Sequence, residues 1–176
     1  MLGCFPFAVP ALDSVLFLAW SARGLSHALW RDAAEPARPS EIPVDAPQLT
    51  PPELYANALD AYFAGQPVDP ATLPIDPTGT PFQLRVWNAL CRIPRGRVRS
   101  YAGIAIDIGS PRAMRAVGMA NGRNPIAVIV PCHRVVEKSS QLGGYSSGLA
   151  RKRYLLVLEG VDVSGERVRP GQLPLL

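Results

Sequence analysis

The chain has 176 residues, 48% of them apolar, and three widely spaced cysteines, Cys4, Cys91 and Cys132. It is long enough for one ordinary domain or two small ones with a real core, and its odd, scattered cysteines argue against a disulfide framework and for a reducing compartment. Its formal net charge of +4 hides a split: residues 1–79 carry 3 basic and 9 acidic side chains, residues 80–160 carry 13 and 3, and residues 161–176 two of each. Such asymmetry points to a polyanion partner for the basic half. No apolar run approaches the ~20 residues of a membrane span, and Pro6 and Pro10 interrupt the apolar N-terminus that a signal peptide would need. A soluble, cytoplasmic protein is expected.

Leu2 to Ala11 reads as an apolar strand whose two prolines place it at a sheet edge or distort it. Ser14 to Trp20 is a better strand, Ser21 to Gly24 a turn, and Leu25 to Trp30 the returning partner. Residues 32–52, acidic and rich in proline and alanine, read as a loop. Pro51 and Pro52 open a helix with Thr50 as its N-cap. Leu54, Tyr55, Ala58, Leu59, Tyr62 and Phe63 form its apolar stripe, and Gly65 stops it. Residues 66–80, with five prolines nearby, read as a crossing linker.

The basic half opens with a helix from Pro81 to about Arg92, capped by Thr80, with Phe82, Val86, Ala89 and Leu90 inward. Ile93 to Arg97 breaks it. Ser100 caps a second helix, Tyr101 to Ile108, and a third runs from Pro111 to Ala120 across a short Gly-containing turn. Two short helices joined this way make a helix-turn-helix. Asn121 to Pro125 is a turn cluster leading into the buried run Ile126 to Val130, read as a strand. Glu137 to Gly144 reads as a surface loop. Gly148 to Glu159 is a final helix with Gly160 at its C′ position.

Where the apolar run ends, Pro131 is followed by Cys132 and His133. A thiol attacks only as thiolate, and an unperturbed cysteine, with a pKa of about 8.5, is mostly protonated at neutral pH. An imidazole is the usual base for it. Adjacency alone does not pair them, because neighbouring side chains on an extended chain point apart.

The stretch Pro131-Cys132-His133-Arg134-Val135 resembles the active-site signature of the O6-alkylguanine-DNA alkyltransferases. The likeness extends through Pro81-Phe82-Gln83, Val86-Trp87, Ile93-Pro94, Ser100-Tyr101, Arg115-Ala116-Val117-Gly118, Asn124-Pro125, Gly143-Gly144-Tyr145, Lys152 and Glu159-Gly160, without a gap over residues 81–160. It implies an α/β (α+β) fold: a small N-terminal antiparallel-sheet domain, ribonuclease H-like, over 1–65, and a proline-rich linker over 66–80. A mostly helical DNA-binding and catalytic domain with the helix-turn-helix follows over 81–160, then a tail over 161–176.

The resemblance also implies roles. Cys132 is the nucleophile that keeps the alkyl group, His133 the base acting through a bridging water, Glu159 its orienter and Asn124 a hinge. Tyr145 serves guanine N3, the Ser146 N–H meets O6, and the carbonyls of Cys132 and Val135 accept from the exocyclic amine. Arg115 fills the gap left by a flipped nucleotide, and Tyr101 crowds the 3′ phosphate. Arg95, Arg97, Arg99, Arg112 and Arg123 are candidates for phosphate contact. The implied partner is duplex DNA carrying O6-alkylguanine, bound through the minor groove by a monomer. Related non-repairing proteins carry another residue, typically tryptophan, at the nucleophile position, so Cys132 separates this chain from them. A helix-turn-helix regulator and a Cys–His hydrolase are the other readings. Cys4 and His27 are too few for a structural zinc site, so neither metal nor cofactor is expected.

Overall fold

The computed structural model describes residues 3–32 and 51–169. They fall into two compact units, 3–32 and 51–78 with Pro125–Ile129, and Gly79–Asn124 with 130–169. No helix among the described residues is long and apolar enough to cross a membrane.

The first unit is built on an antiparallel sheet of β1 (Gly3–Val9), β2 (Ser14–Ser21) and β3 (Gly24–Asp32), in that spatial order. In β2 the two-residue alternation buries Ser14, Leu16 and Leu18 and half-exposes Val15 and Phe17, as one covered sheet face requires. Pro6 is tolerated because β1 is an edge strand. Helix α1 (Glu53–Phe63) follows, with Phe63 stacked on Phe7 and edge-on to Trp30. Tyr55, Leu59 and Tyr62 are buried as its stripe predicts, but Leu54 is 54% exposed. Thr50, expected as its cap, lies outside the described residues, as do residues 33–50 of the acidic loop; Pro52 occupies the N-cap position without a side-chain cap.

The outer edge of β3 is covered from two directions. The Leu25 N–H donates to Pro74 O and the Asp76 N–H to Leu25 O, so the proline-rich stretch packs here as structure. Three residues on, the Ala28 N–H donates to Pro125 O and the Ala127 N–H to Ala28 O. An open strand edge is thereby satisfied by two short chain passages.

In the second unit, α2 (Pro81–Cys91) carries the expected cap and more: the Thr80 hydroxyl accepts from the Gln83 N–H, and Gln83 accepts from the Thr80 N–H. Trp87, missed as a core residue, is 2% exposed and donates its Nε1–H to Ala120 O at 2.9 Å. Ser100 caps α3 (Tyr101–Asp107) by accepting from the Gly103 N–H. Helix α4 (Met114–Gly122) begins and ends later than expected. A turn closed by Ala113 N–H to Ser110 O occupies Pro111 and Arg112, while the Arg123 N–H reaches the carbonyls of Met119 and Ala120 and carries the helix over Gly122.

Strand β4 (Arg99–Ser100) pairs in parallel with β5 (Val135–Val136). Helix α5 (Leu149–Leu158) ends with Gly160 at φ +85°. Within the expected tail, β6 (Val163–Ser164) and β7 (Arg167–Val168) form a hairpin, and Val161 and Val168 join Val98, Val136, Leu142 and Leu156 in one cluster. Residues 170–176 lie outside the described part.

Candidate active site

The run Ile126–Val130 is buried throughout but is not a strand. It is made of turns. Val128 has φ +72°, and the Ile129 N–H donates to Ala127 O at 2.9 Å, which is a γ-turn of the rare positive-φ kind. A second, inverse γ-turn follows at Pro131 (φ −81°, ψ 63°), where the Cys132 N–H donates to Val130 O at 2.8 Å. The start of the run pairs with Ala28 of β3, and beyond it the two γ-turns satisfy backbone groups locally, so the chain reverses twice in the buried interior. Cys132 then opens a single 3₁₀ turn, Cys132–Arg134.

Asn124 ties down the exit of this passage. Its amide nitrogen donates to Val130 O at 2.7 Å and to the Cys132 sulfur at 3.1 Å. The thiol is 4% exposed. Burial pushes its pKa up, while the Asn124 donor, the Lys152 charge and the Tyr145 hydroxyl pull the other way by favouring the thiolate. At rest the sulfur is a protonated thiol in a setting prepared for its anion.

His133 and Glu159 meet in the core, Nε2 to Oε1 at 2.9 Å, both side chains fully buried. The surprise is Arg134, quoted in the motif but given no role. It is 0% exposed, its Nε donates to Glu159 Oε2 at 2.8 Å and a terminal nitrogen to Oε1 at 2.9 Å, and the other terminal nitrogen reaches Ile93 O. Burial alone would raise the Glu159 pKa, but His133 and Arg134 hold it far below the usual carboxylate range. The His133 pKa is lowered by burial against the pull of Glu159, with Arg134 and Lys152 adding to the lowering. With its charge already matched by Arg134, the carboxylate acts as an acceptor, so the His133 proton sits on Nε2. Nδ1 keeps its lone pair, is buried, and has no protein partner among the described residues. That is the arrangement of a neutral base.

Lys152 was also quoted without a role. It is 0% exposed, and its Nζ donates to the carbonyls of Val135, Leu142 and Gly144. Burial lowers its pKa to about 8, against the attraction of Cys132 and Glu137. It thus ties the Val135 backbone to the 142–144 loop and puts a cation near the thiol. Its signal in the sequence was slight: one lysine on an apolar helix face.

Beside these residues lies a pocket of about 260 Å³, lined by Tyr101, Gly118, Asn121, Gly144, Tyr145 and Ser146. Tyr145 is half-buried, Ser146 exposed and Val135 fully buried. Of the residues expected to meet the base, Tyr145 and Ser146 line this pocket, and Cys132 and Val135 are not among its lining residues. Among the described residues no three His, Cys, Asp or Glu side chains are grouped as they would be to hold a metal.

Over 147 residues, 82% of this chain and 89% of the relative, the sequence is 46% identical to a methylated-DNA--protein-cysteine methyltransferase of Methanosarcina barkeri. The chain belongs to the methylated-DNA--protein-cysteine methyltransferase family. Residues 81–161 match the family described as 6-O-methylguanine DNA methyltransferase, DNA binding domain. The O6-methylguanine methyltransferase of Mycobacterium tuberculosis superposes with a TM-score of 0.77 at 43% identity, covering 90% of this chain and 93% of that one. A structure of M. tuberculosis OGT in complex with DNA gives 0.72 at 41% identity, covering 90% and 91%.

In this methyltransferase-family chain, the residues expected to meet DNA lie on or beside the helix-turn-helix. Arg115 is exposed on α4 and shares a cavity of about 450 Å³ with Tyr101, Met114 and Glu137. Arg112 and Arg123 are exposed at the two ends of that helix, and Arg97 is exposed before β4. Two other arginines are engaged within the protein. Arg99 forks onto Asp107 at 3.0 and 2.7 Å, and Arg95 donates to Leu158 O at 3.0 Å.

Proposed function

We propose that this protein repairs DNA by moving the alkyl group of O6-alkylguanine in a duplex onto Cys132, irreversibly and once per molecule. The observation that carries the reading is a pair of buried arrangements one residue apart: a thiol held by Asn124, and a histidine whose open lone pair is set by a carboxylate already paired with Arg134. His133 takes the thiol proton through a bridging water, and Asn124 and Lys152 favour the thiolate. Sulfur attacks the alkyl carbon as the carbon–oxygen bond breaks. The electron pair goes to O6, a proton returns to the base as guanine, and the protein keeps a thioether. A thioether has no comparable route back to thiol, so the protein is consumed.

The target carbon is out of reach inside a duplex, so the nucleotide is extruded, with Arg115 filling its place and Tyr101 crowding the phosphate. The exposed Arg112, Arg115 and Arg123 on and beside α4 support docking of that helix, and a minor-groove approach suits a search that ignores sequence. We place the protein as a monomer in the cytoplasm; Cys4, Cys91 and Cys132, none of them in a disulfide, suit a reducing compartment. O4-alkylthymine is the second candidate substrate.

The test is incubation with an oligonucleotide bearing one O6-methylguanine, followed by protein mass analysis. One methyl group on the peptide containing Cys132, in a burst equal to active protein, is expected. Sustained turnover in excess DNA would sink the acceptor reading even if Cys132 proved essential.

A further inference from the structure

Glu137 sets a carboxylate on the face that would meet DNA, where positive charge is the rule. Residues 80–160 hold three acidic side chains, Asp107, Glu137 and Glu159. Asp107 is taken by Arg99, and Glu159 by Arg134 and His133. Glu137 is exposed, forms no ion pair among the described residues, and accepts from the Ser139 hydroxyl at 3.2 Å. It lines the 450 Å³ cavity with Tyr101, Met114 and Arg115. Gly143 shows how near it stands to Tyr101: a Cβ on that glycine would lie 3.1 Å from Glu137 Cγ and 3.6 Å from Tyr101 Cε2. The carboxylate and the ring therefore flank one point. Burial raises the Tyr101 pKa, and negative charge at Cys132 and Glu137 raises it further, so the two groups also feel each other electrostatically.

We infer that Glu137 helps to extrude the target nucleotide by repelling the phosphate that Tyr101 crowds. The inference rests on the alkyl-transfer reading above and gives its extrusion step an electrostatic part. In a stacked duplex docked on α4, a phosphate against Tyr101 is also close to the carboxylate beside that ring. Two like charges held close repel, and they do so more strongly where protein displaces water. Rotation of the nucleotide carries the phosphate away and relieves the repulsion. Glu137 thus raises the energy of the stacked complex more than that of the extruded one. It weakens binding to any duplex and speeds the turning-out of the nucleotide. Arg115 and Lys138 line the same cavity, so the net attraction to the duplex survives.

Glu137→Gln keeps the shape and removes the charge, on an exposed side chain that the core does not need. With the full chain, the variant should bind undamaged duplex about two- to fivefold more tightly at low salt, the scale of one exposed charge contact. That difference should fade as salt rises from about 50 to about 300 mM. At saturating duplex bearing one O6-methylguanine, its transfer should be about two- to fivefold slower. Transfer from free O6-benzylguanine needs no extrusion and should change less; it also reads any effect through Lys152, whose charge Glu137 attracts. Tighter binding joined to slower transfer is the mark of strain removed from the bound ground state, and a lost packing contact does not produce that pairing. Unchanged or weaker binding, a difference that survives high salt, or an equal slowing on duplex and free base overturns the inference. Absence of transfer by the unmodified chain overturns the alkyl-transfer reading itself, and this inference with it.

Discussion

Arg134 and Glu159 form a two-pronged ion pair in the interior, Nε to Oε2 at 2.8 Å and a terminal nitrogen to Oε1 at 2.9 Å, with neither side chain exposed. The arginine neutralises the carboxylate that His133 leans on, so the histidine stays uncharged and its proton stays on the side away from its free lone pair. A buried carboxylate without that partner would draw a proton onto the ring or onto itself.

Glu159→Gln should therefore do two things. It should slow transfer at saturating DNA, within the ~10²–10⁴-fold span of a general base, and it should cost about 3–5 kcal/mol of stability by stranding Arg134. The depressed pKa of Glu159 means its stabilisation is present above the unfolded carboxylate pKa and is lost as pH falls through the folded one. Acid titration of the melting temperature should show less loss below pH of about 4 in the variant than in the parent. Altered stability with an unchanged rate would leave Glu159 an anchor for Arg134 and nothing more.

Lys152 predicts the alkaline side. Its folded pKa of about 8 lies below that of a free lysine, so the charged form strains the fold. The unfolded chain binds the extra proton between pH of about 8 and 10, so this group's contribution to stability rises across that window. Thiolate formation, by contrast, loses its nearby cation there. Transfer from free O6-benzylguanine should climb with pH, then fall off above about 8. Lys152→Met should be slower and climb without that fall. A shared profile would remove the cation from the chemistry.

Val128 tests backbone strain. Valine at φ +72° is costly, of the order of 1–3 kcal/mol, and glycine is not. Val128→Gly and Val128→Ala both delete the packed side chain, yet the glycine variant should melt higher, reversing the usual order. If alanine melts higher, the turn is unstrained.

Arg115→Ala should impair repair of duplex DNA far more than transfer from free O6-benzylguanine, because the role proposed for the exposed Arg115 is in extrusion and not at the thiol. Tyr101→Ala should follow it. Equal losses on both substrates would assign these residues to the pocket or the fold.

Cys132→Ser should bind alkylated duplex and transfer nothing, whereas Cys4→Ser and Cys91→Ser should keep full activity. Alkylation found on Cys91, which is half-buried on α2, would move the acceptor there.

Much of this was legible in the sequence because its causes are local. Thr80 and Ser100 announced two helix starts through bonds to a residue three positions on, and Gly160 announced a helix end. Pro6 marked the first strand for a sheet edge, and Pro10 opens the 3₁₀ turn just past its end. Cys132, His133, Asn124 and Glu159 were singled out by their match to one family's motifs, and the fold brings them together.

What the sequence left open depends on partners far away along the chain. Ile126 to Val130 has a strand's composition, yet its backbone is satisfied by γ-turns and by Ala28 of β3, and no local pattern encodes that choice. Arg134 and Lys152 drew no role from the sequence, because solvation is the default for a cation and nothing local marks a buried one. Only folding places a carboxylate 25 positions away beside one, and the Val135 and Leu142 carbonyls beside the other. The sequence by itself determined which atoms could react; the tertiary structure decided their protonation, because burial and charge pairing are properties of the folded interior and not of any segment.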